Sequence, residues 1–180
     1  MNTKSTFRIV LTALFAALTC VATMFIHIPT PTAGYVHLGD GFVLLSAFLL
    51  GPVHGMISAG IGSMLADILS GYPSYAVGTL IIKGLVALVA GLIYRTFNKE
   101  ENLSRQVIRI VIASICGEII MVLGYFAYSG IFLGYGLGAA AEIPGNLGQG
   151  AFGIIISAIL TPVLLKSKDI REMLDRFQKR

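Results

Sequence analysis

The chain has 180 residues, of which 56% are hydrophobic and 12% charged, with a net charge of +4 and a mean hydropathy of +0.83. A soluble domain carries about 25% charged residues, and polar surface this sparse cannot cover the core of a soluble fold. The apolar excess therefore faces lipid, the length fits one domain over 1–180, and the small positive charge gives no reason to expect nucleic-acid binding. Cys20 and Cys116 both lie in apolar runs and read as packing groups, not as a disulfide.

The first apolar segment, 7–28, follows Lys4 and Arg8. At about 20 residues it is a membrane span, too long for the apolar core of a secretory signal. It carries Ala13 and Ala17 four residues apart, a spacing that lets another helix approach closely. The strip serves either internal packing or the docking of a partner. The connection 29–39 follows; Pro29 and Pro31 stiffen it, and its Tyr35 and His37 can reach over neighbouring helix ends.

The next apolar segment, 40–70, is too long for one crossing and short for two, with Gly51-Pro52 at its middle. Charge resolves it. Every basic residue except Lys83 falls in one of three stretches: Lys4 and Arg8; Arg95, Lys99, Arg105 and Arg109; and Lys166, Lys168, Arg171, Arg176, Lys179 and Arg180. By the positive-inside rule all three are cytoplasmic. An even number of crossings then separates Arg8 from Arg95, so 40–70 crosses twice and turns at Gly51–Gly55. Its halves are short helices of about 15 residues, which pack inside the bundle or line a cavity. The second half is rich in small residues, among them Gly55, Ser58, Gly60, Gly62, Ser63 and Ala66, as close helix packing requires.

Segments 74–94, 107–133 and 146–165 complete an all-α bundle of about six spans with both termini in the cytoplasm. The tail, 166–180, carries Ile170, Met173, Leu174 and Phe177 at helical spacing among charged residues and reads as an amphipathic helix at the inner membrane surface.

Ionisable groups inside spans are functional candidates because each costs about 2.5–3.5 kcal/mol at mid-membrane. Lys83 lies about 13 Å and Glu118 about 16 Å into their helices at 1.5 Å per residue. Tyr75, Thr79 and Lys83 recur every four residues on one helix face, and Glu118 and Tyr125 share another. Asn146 and Gln149 are one turn apart at the outer end of the last span, and Asp67 closes the third. These residues, with His37 above them, converge in the outer half of the membrane. Their plain structural reading is a Lys83–Glu118 ion pair that holds the bundle; their functional reading is a polar pocket with aromatic walls, suited to a small planar ligand. His27, His37 and His54 do not share a metal-binding spacing. Hydrolase, metalloprotease and P-loop signatures are missing, and no cofactor is implied.

The alanine strip, the run YVHLGDGFVLLSAFLLGPVHG at 35–55 and the run ADILSGYPSYAVGTLIIKGL at 66–85 are similar, over nearly the whole chain, to the substrate-binding S component of energy-coupling factor (ECF) vitamin transporters. The resemblance implies a prokaryotic, multi-pass cell-membrane subunit that captures a water-soluble vitamin or precursor from outside. It implies partners as well: a transmembrane coupling protein, contacted through Ala13 and Ala17, and two cytoplasmic ATPases that hydrolyse ATP in its stead. The connection after the first span would cap the pocket. Among the branches of the family, those for pyridoxine or hydroxymethylpyrimidine are the nearest in pattern. Two other classes remain open from the residues alone. One is an intramembrane enzyme using Lys83 and Glu118 as acid and base; the other is a structural membrane protein that binds partner helices.

Overall fold

The computed structural model describes residues 3–25, 27–30, 35–96 and 102–178. Positions 31–34 of the stiffened connection lie outside these, as do Lys99, Lys179 and Arg180. Among the described residues, five helices are long and apolar enough to cross a membrane, and a sixth, shorter apolar helix lies among them. In order they are α1 (Thr3–Phe25), α2 (Asp40–Leu50), α3 (Pro52–Leu69), α4 (Pro73–Thr96), α5 (Leu103–Ala127) and α6 (Ile143–Lys166). Amphipathic α7 (Lys168–Gln178) follows, and a small hairpin of β1 (His27–Pro29) and β2 (Tyr35–His37) joins α1 to α2.

The segment 40–70 does break into two helices, and more sharply than expected. Gly51 alone makes the turn, at φ 85°, ψ 177°, and Pro52 opens α3. The positive φ favours glycine, and a side chain there would also run into the Arg95 guanidinium. Pro52 suits the first turn of a helix because its missing N–H has no partner to lose. The two halves are unequal, α2 having 11 residues and α3 having 18. At about 16 Å, α2 is half the length needed to cross a bilayer. It is enclosed instead: of its residues only Phe42 is not buried.

Small residues set the packing around it. The buried face of α3 consists of Gly55, Ser58, Ala59, Gly60, Gly62, Ser63, Ala66 and Asp67. A β-carbon on Gly55 would lie 2.7 Å from the Ala47 Cα, one on Gly60 2.7 Å from the Leu80 carbonyl, and one on Gly62 would press into the Ala16 carbonyl. So α3 lies close against α2, α4 and α1, as small-residue interfaces allow. One apolar cluster joins Val43, Phe48, Val86, Ala90, Ile110 and Met121 of α2, α4 and α5. A second joins Leu11, Phe15 and Leu49 to Leu174 and Phe177 of α7. The apolar face of the tail is therefore buried on α1 and α2, and Arg8 Nε fixes its end by donating 2.8 Å to the Phe177 carbonyl. The outer faces stay apolar, with Val10, Leu14, Val77, Ile119, Leu123 and Ile159 all exposed. That is the surface of a protein solvated by lipid.

The connection after α1 is a hairpin, where the sequence led only to a stiffened connection. His27 pairs with His37, Ile28 with Val36 and Pro29 with Tyr35. It folds the chain back over the helix ends and delivers it, through Gly39, to the first turn of α2. The end of the expected span 107–133 is a π-turn (Tyr128–Phe132), and a 3-10 turn (Gly136–Glu142) follows it before α6 and brings Glu142 inward.

Candidate functional site

The hairpin places Asp40 at the start of α2, fully buried, where it forms an ion pair with Lys83 of α4. The second oxygen of that carboxylate accepts a 2.7 Å hydrogen bond from Gln149 Nε2 of α6. Gln149 Oε1 in turn accepts 2.8 Å from the backbone N–H of His37, and His37 Nδ1 accepts 3.0 Å from that of Gly39. One polar chain thus links α4, α2, α6 and the hairpin. Buried charges are tolerated on such terms, paired and with the remaining lone pairs occupied.

This arrangement corrects the expected partner of Lys83. The lysine pairs with Asp40, and the Glu118 oxygens are buried with no hydrogen-bond partner among the described residues. The reason is topological. The hairpin swings Asp40 into the bundle beside α4, whereas Glu118 faces α6, where a β-carbon on Gly150 or Gly153 would lie 3.1 and 3.3 Å from its carboxyl oxygens. Glu118 also lines an apolar groove of about 370 Å³ between α5 and α6, with Ile115, Ile119, Leu147 and Ile154.

Beside the polar chain is a narrow cavity of about 20 Å³ lined by Thr30, Tyr35, His37, Asp67, Tyr75, Thr79, Tyr125, Glu142, Asn146 and Gln149. The expected residues His37, Asp67, Tyr75, Thr79, Tyr125, Asn146 and Gln149 are thus brought together. Lys83 and Glu118 are not among the lining residues: the Lys83 ammonium lies 5.4 Å from the centre of the Tyr125 ring, and Glu118 lines the α5/α6 groove instead.

Two carboxylates are held in the lining by hydroxyl groups. Tyr35 donates 2.7 Å to Asp67, while Tyr75 and Ser129 donate 2.7 and 2.9 Å to the two oxygens of Glu142. Thr79 and Tyr125 share a 2.9 Å bond. Burial and the neighbouring Asp67 push the Tyr35 phenol above its ordinary range, so it stays protonated and serves as a donor. The Tyr35 ring packs on Tyr72 at 4.6 Å and on His37 at 5.4 Å, tying the hairpin to the end of α3. The resulting surface offers flat aromatic faces beside acceptor carboxylates and two-way carboxamides.

Asp40 and Glu142 were not among the expected site residues. Asp40 had a signal, a lone acid at the edge of an apolar run that also has to accommodate an intramembrane lysine. Glu142 had none, because only the folding of the 128–142 turns carries it inward. The alanines are also placed. Ala16 is buried against α3, whereas Ala13 and Ala17 are exposed beside it on α1.

A multi-pass helical bundle with a hairpin over a polar, aromatic cavity has the architecture of a membrane solute-binding subunit. Family models make the class specific: residues 3–166 match that of the ECF-type riboflavin transporter S component, and the chain belongs to this family. It is similar to the solved structure of the S component of a bacterial ECF transporter, with a TM-score of 0.66 and 25% identity over 90% of this chain and 97% of that one. A protein of Lactococcus lactis subsp. cremoris, the thiamine precursor transporter HmpT, is 29% identical over 91% of each chain. An uncharacterized protein from Pyrococcus woesei is 40% identical over 81% of this chain and 93% of its own. The protein is therefore a transport subunit of vitamin or precursor uptake and not an enzyme. S components work with a membrane coupling protein and two separate ATPases.

Proposed function

We propose that the chain captures a single-ring, water-soluble vitamin precursor from outside the cell, with hydroxymethylpyrimidine or pyridoxine as the first candidates. It delivers this ligand across the cell membrane together with a coupling protein and two ATPases. The observation that carries this reading is the convergence of Asp67, Glu142, Asn146 and Gln149 with Tyr35, Tyr75 and Tyr125 around one cavity. A small heterocycle with amino or hydroxyl donors and ring-nitrogen acceptors finds a partner for each polar edge and an aromatic surface for each face.

Size favours a single ring. The cavity has room for about one water molecule, since a water needs roughly 10–15 Å³ by the same measure. Admitting one ring asks the hairpin and a few side chains to move outward; admitting a three-ring flavin asks far more. The likeness to a thiamine precursor transporter leans the same way. In this reading His37, Asp67, Tyr75, Thr79, Tyr125, Asn146 and Gln149 contact the ligand, and Lys83 orients Gln149 through Asp40. Glu118 is one layer deeper and joins the site as the cavity widens on ligand entry. The exposed Ala13 and Ala17 dock the coupling protein, and both termini and the tail, 166–180, are cytoplasmic.

Mass spectrometry of small molecules that co-purify with the solubilised protein, followed by calorimetry with hydroxymethylpyrimidine, pyridoxine, thiamine and riboflavin, tests the reading. A single-ring ligand should co-purify and bind. Riboflavin binding without any single-ring binding overturns the size argument, and no binding by any of these overturns the proposal.

A further inference from the structure

At the opposite end of α2 from Asp40 there is a second cavity, of about 410 Å³, enclosed by α4, α5, α6 and α7. Arg95, Arg109, Lys166 and Arg171 line it, against one carboxylate, Asp175, among the described residues. Arg109 forms the floor. It is buried, at 7% exposure, and its guanidinium stacks 4.3 Å from the centre of the Tyr94 ring, which fixes its direction. Arg95, Lys166 and Arg171 are exposed and stand at the rim. The remaining wall is largely apolar, with Phe48, Leu49, Pro162 and Leu165. The cavity is part of the fold, because Leu174 and Phe177 anchor α7 in the bundle and hold Arg171 in place.

Four cations around one volume repel one another, and an anion in their midst relieves that repulsion. Guanidinium forks match the oxygens of a phosphate in pairs, and an ammonium adds a point charge. We propose that this cavity binds a phosphate-bearing anion, its apolar wall fitting the glycerol and first methylenes of an anionic phospholipid whose headgroup lies among Arg95, Arg109, Lys166 and Arg171. The site belongs to the end of the bundle where the basic residues gather, and it shares no residue with the vitamin cavity. A concave site with its arginine on the floor is reached more readily by a headgroup than by the surface of a docking protein.

The test uses the full chain in nanodiscs of phosphatidylcholine alone or with phosphatidylglycerol, and in neutral detergent with and without inorganic phosphate. Melting temperature and lipid retention in native mass spectrometry are the readouts. Phosphatidylglycerol should raise the melting temperature and be retained. The variant Arg95→Gln/Lys166→Gln/Arg171→Gln, which leaves the buried Arg109 in place, should bind it at least about tenfold more weakly. The charge-conserving variant Arg95→Lys/Lys166→Arg/Arg171→Lys should keep most of the effect, which separates lost charge from damaged folding. A response to phosphate but not to phosphatidylglycerol assigns the site to a free anion and sustains the shared chemistry. Equal stabilisation by phosphatidylcholine, or an unchanged response in the glutamine variant, overturns the proposal. So does a lack of any anion response, including the case where the glutamine variant fails only in uptake with the coupling protein and ATPases, which would mark a protein contact.

Discussion

Lys83 and Asp40 meet between α4 and α2 with both side chains fully buried, and Gln149 occupies the second oxygen of the same carboxylate. The pair is thus both a strut and the rear support of a residue that lines the hairpin-capped cavity. Removing one member strands the other, at a cost of about 3–5 kcal/mol. Lys83→Met should therefore lower the melting temperature sharply, while Lys83→Met with Asp40→Asn should restore it, since replacing a whole buried pair is often neutral. In the double variant Gln149 loses a charged acceptor, and ligand affinity should fall at least about tenfold, or 1.4 kcal/mol. Parental affinity in a stable double variant would show that the pair is only structural.

Glu118 is predicted to behave in the opposite way. Its carboxyl oxygens are buried with no hydrogen-bond partner among the described residues, so they support no ion pair there whose loss would be felt. Glu118→Gln should melt at or above the parental temperature, because a neutral amide is less costly to bury than a carboxyl group that can ionise. Destabilisation of about 3 kcal/mol or more, the cost of breaking a buried pair, would return Lys83 to Glu118 as its partner.

The two faces of α1 should separate in a substitution series. Gly62→Leu forces a side chain into the Ala16 carbonyl and should prevent α1 and α3 from packing, so that little folded protein is recovered. Ala13→Leu with Ala17→Leu adds bulk on the exposed face and should leave melting temperature and ligand affinity unchanged. Vitamin uptake by the assembled transporter should nevertheless be lost. Normal uptake in that variant would remove the strip from the partner interface.

Orientation is open to direct measurement. After Cys20 and Cys116 are replaced by Ser, a cysteine at Gly138 should react in intact cells with a membrane-impermeant maleimide, and one at Asn102 should not. Both positions are exposed, so reactivity reports sidedness and not burial. Reaction at Asn102 from outside would invert the bundle.

The division of 40–70 was legible because charge parity required two crossings and Gly51-Pro52 offered one place to turn. The expectation of two thin helices of about 15 residues, packed inside the bundle or lining a cavity, holds for α2 with its 11 residues, whereas α3, with 18, is long enough to span. The hairpin was not legible. Its strands are three residues each, one ending in Pro29, and periodicity has nothing to act on over that length. That miss carried the error about Lys83 with it, because only the hairpin turns Asp40 into the bundle. Helical spacing did place Tyr75, Thr79 and Tyr125 on the right faces, since a helix fixes direction locally. Glu142 depended on non-repeating turns, which set direction only through tertiary contacts.

The shortness of α2 also bears on the electrical profile of the protein. Its first residue, Asp40, belongs to the polar chain beside the hairpin-capped cavity, and Phe48 and Leu49 in its last turn already line the basic cavity. The dry barrier between the two is about 16 Å of helix where the surrounding lipid presents about 30 Å. The membrane potential, worth about 2.3 kcal/mol per elementary charge at 100 mV, is then focused across a septum of roughly half the bilayer's thickness. Under the proposed function, a charged ligand in the hairpin-capped cavity would sit on the near side of that drop. Under the same reading its binding should be insensitive to voltage, the work of the field falling on the step that carries it past α2.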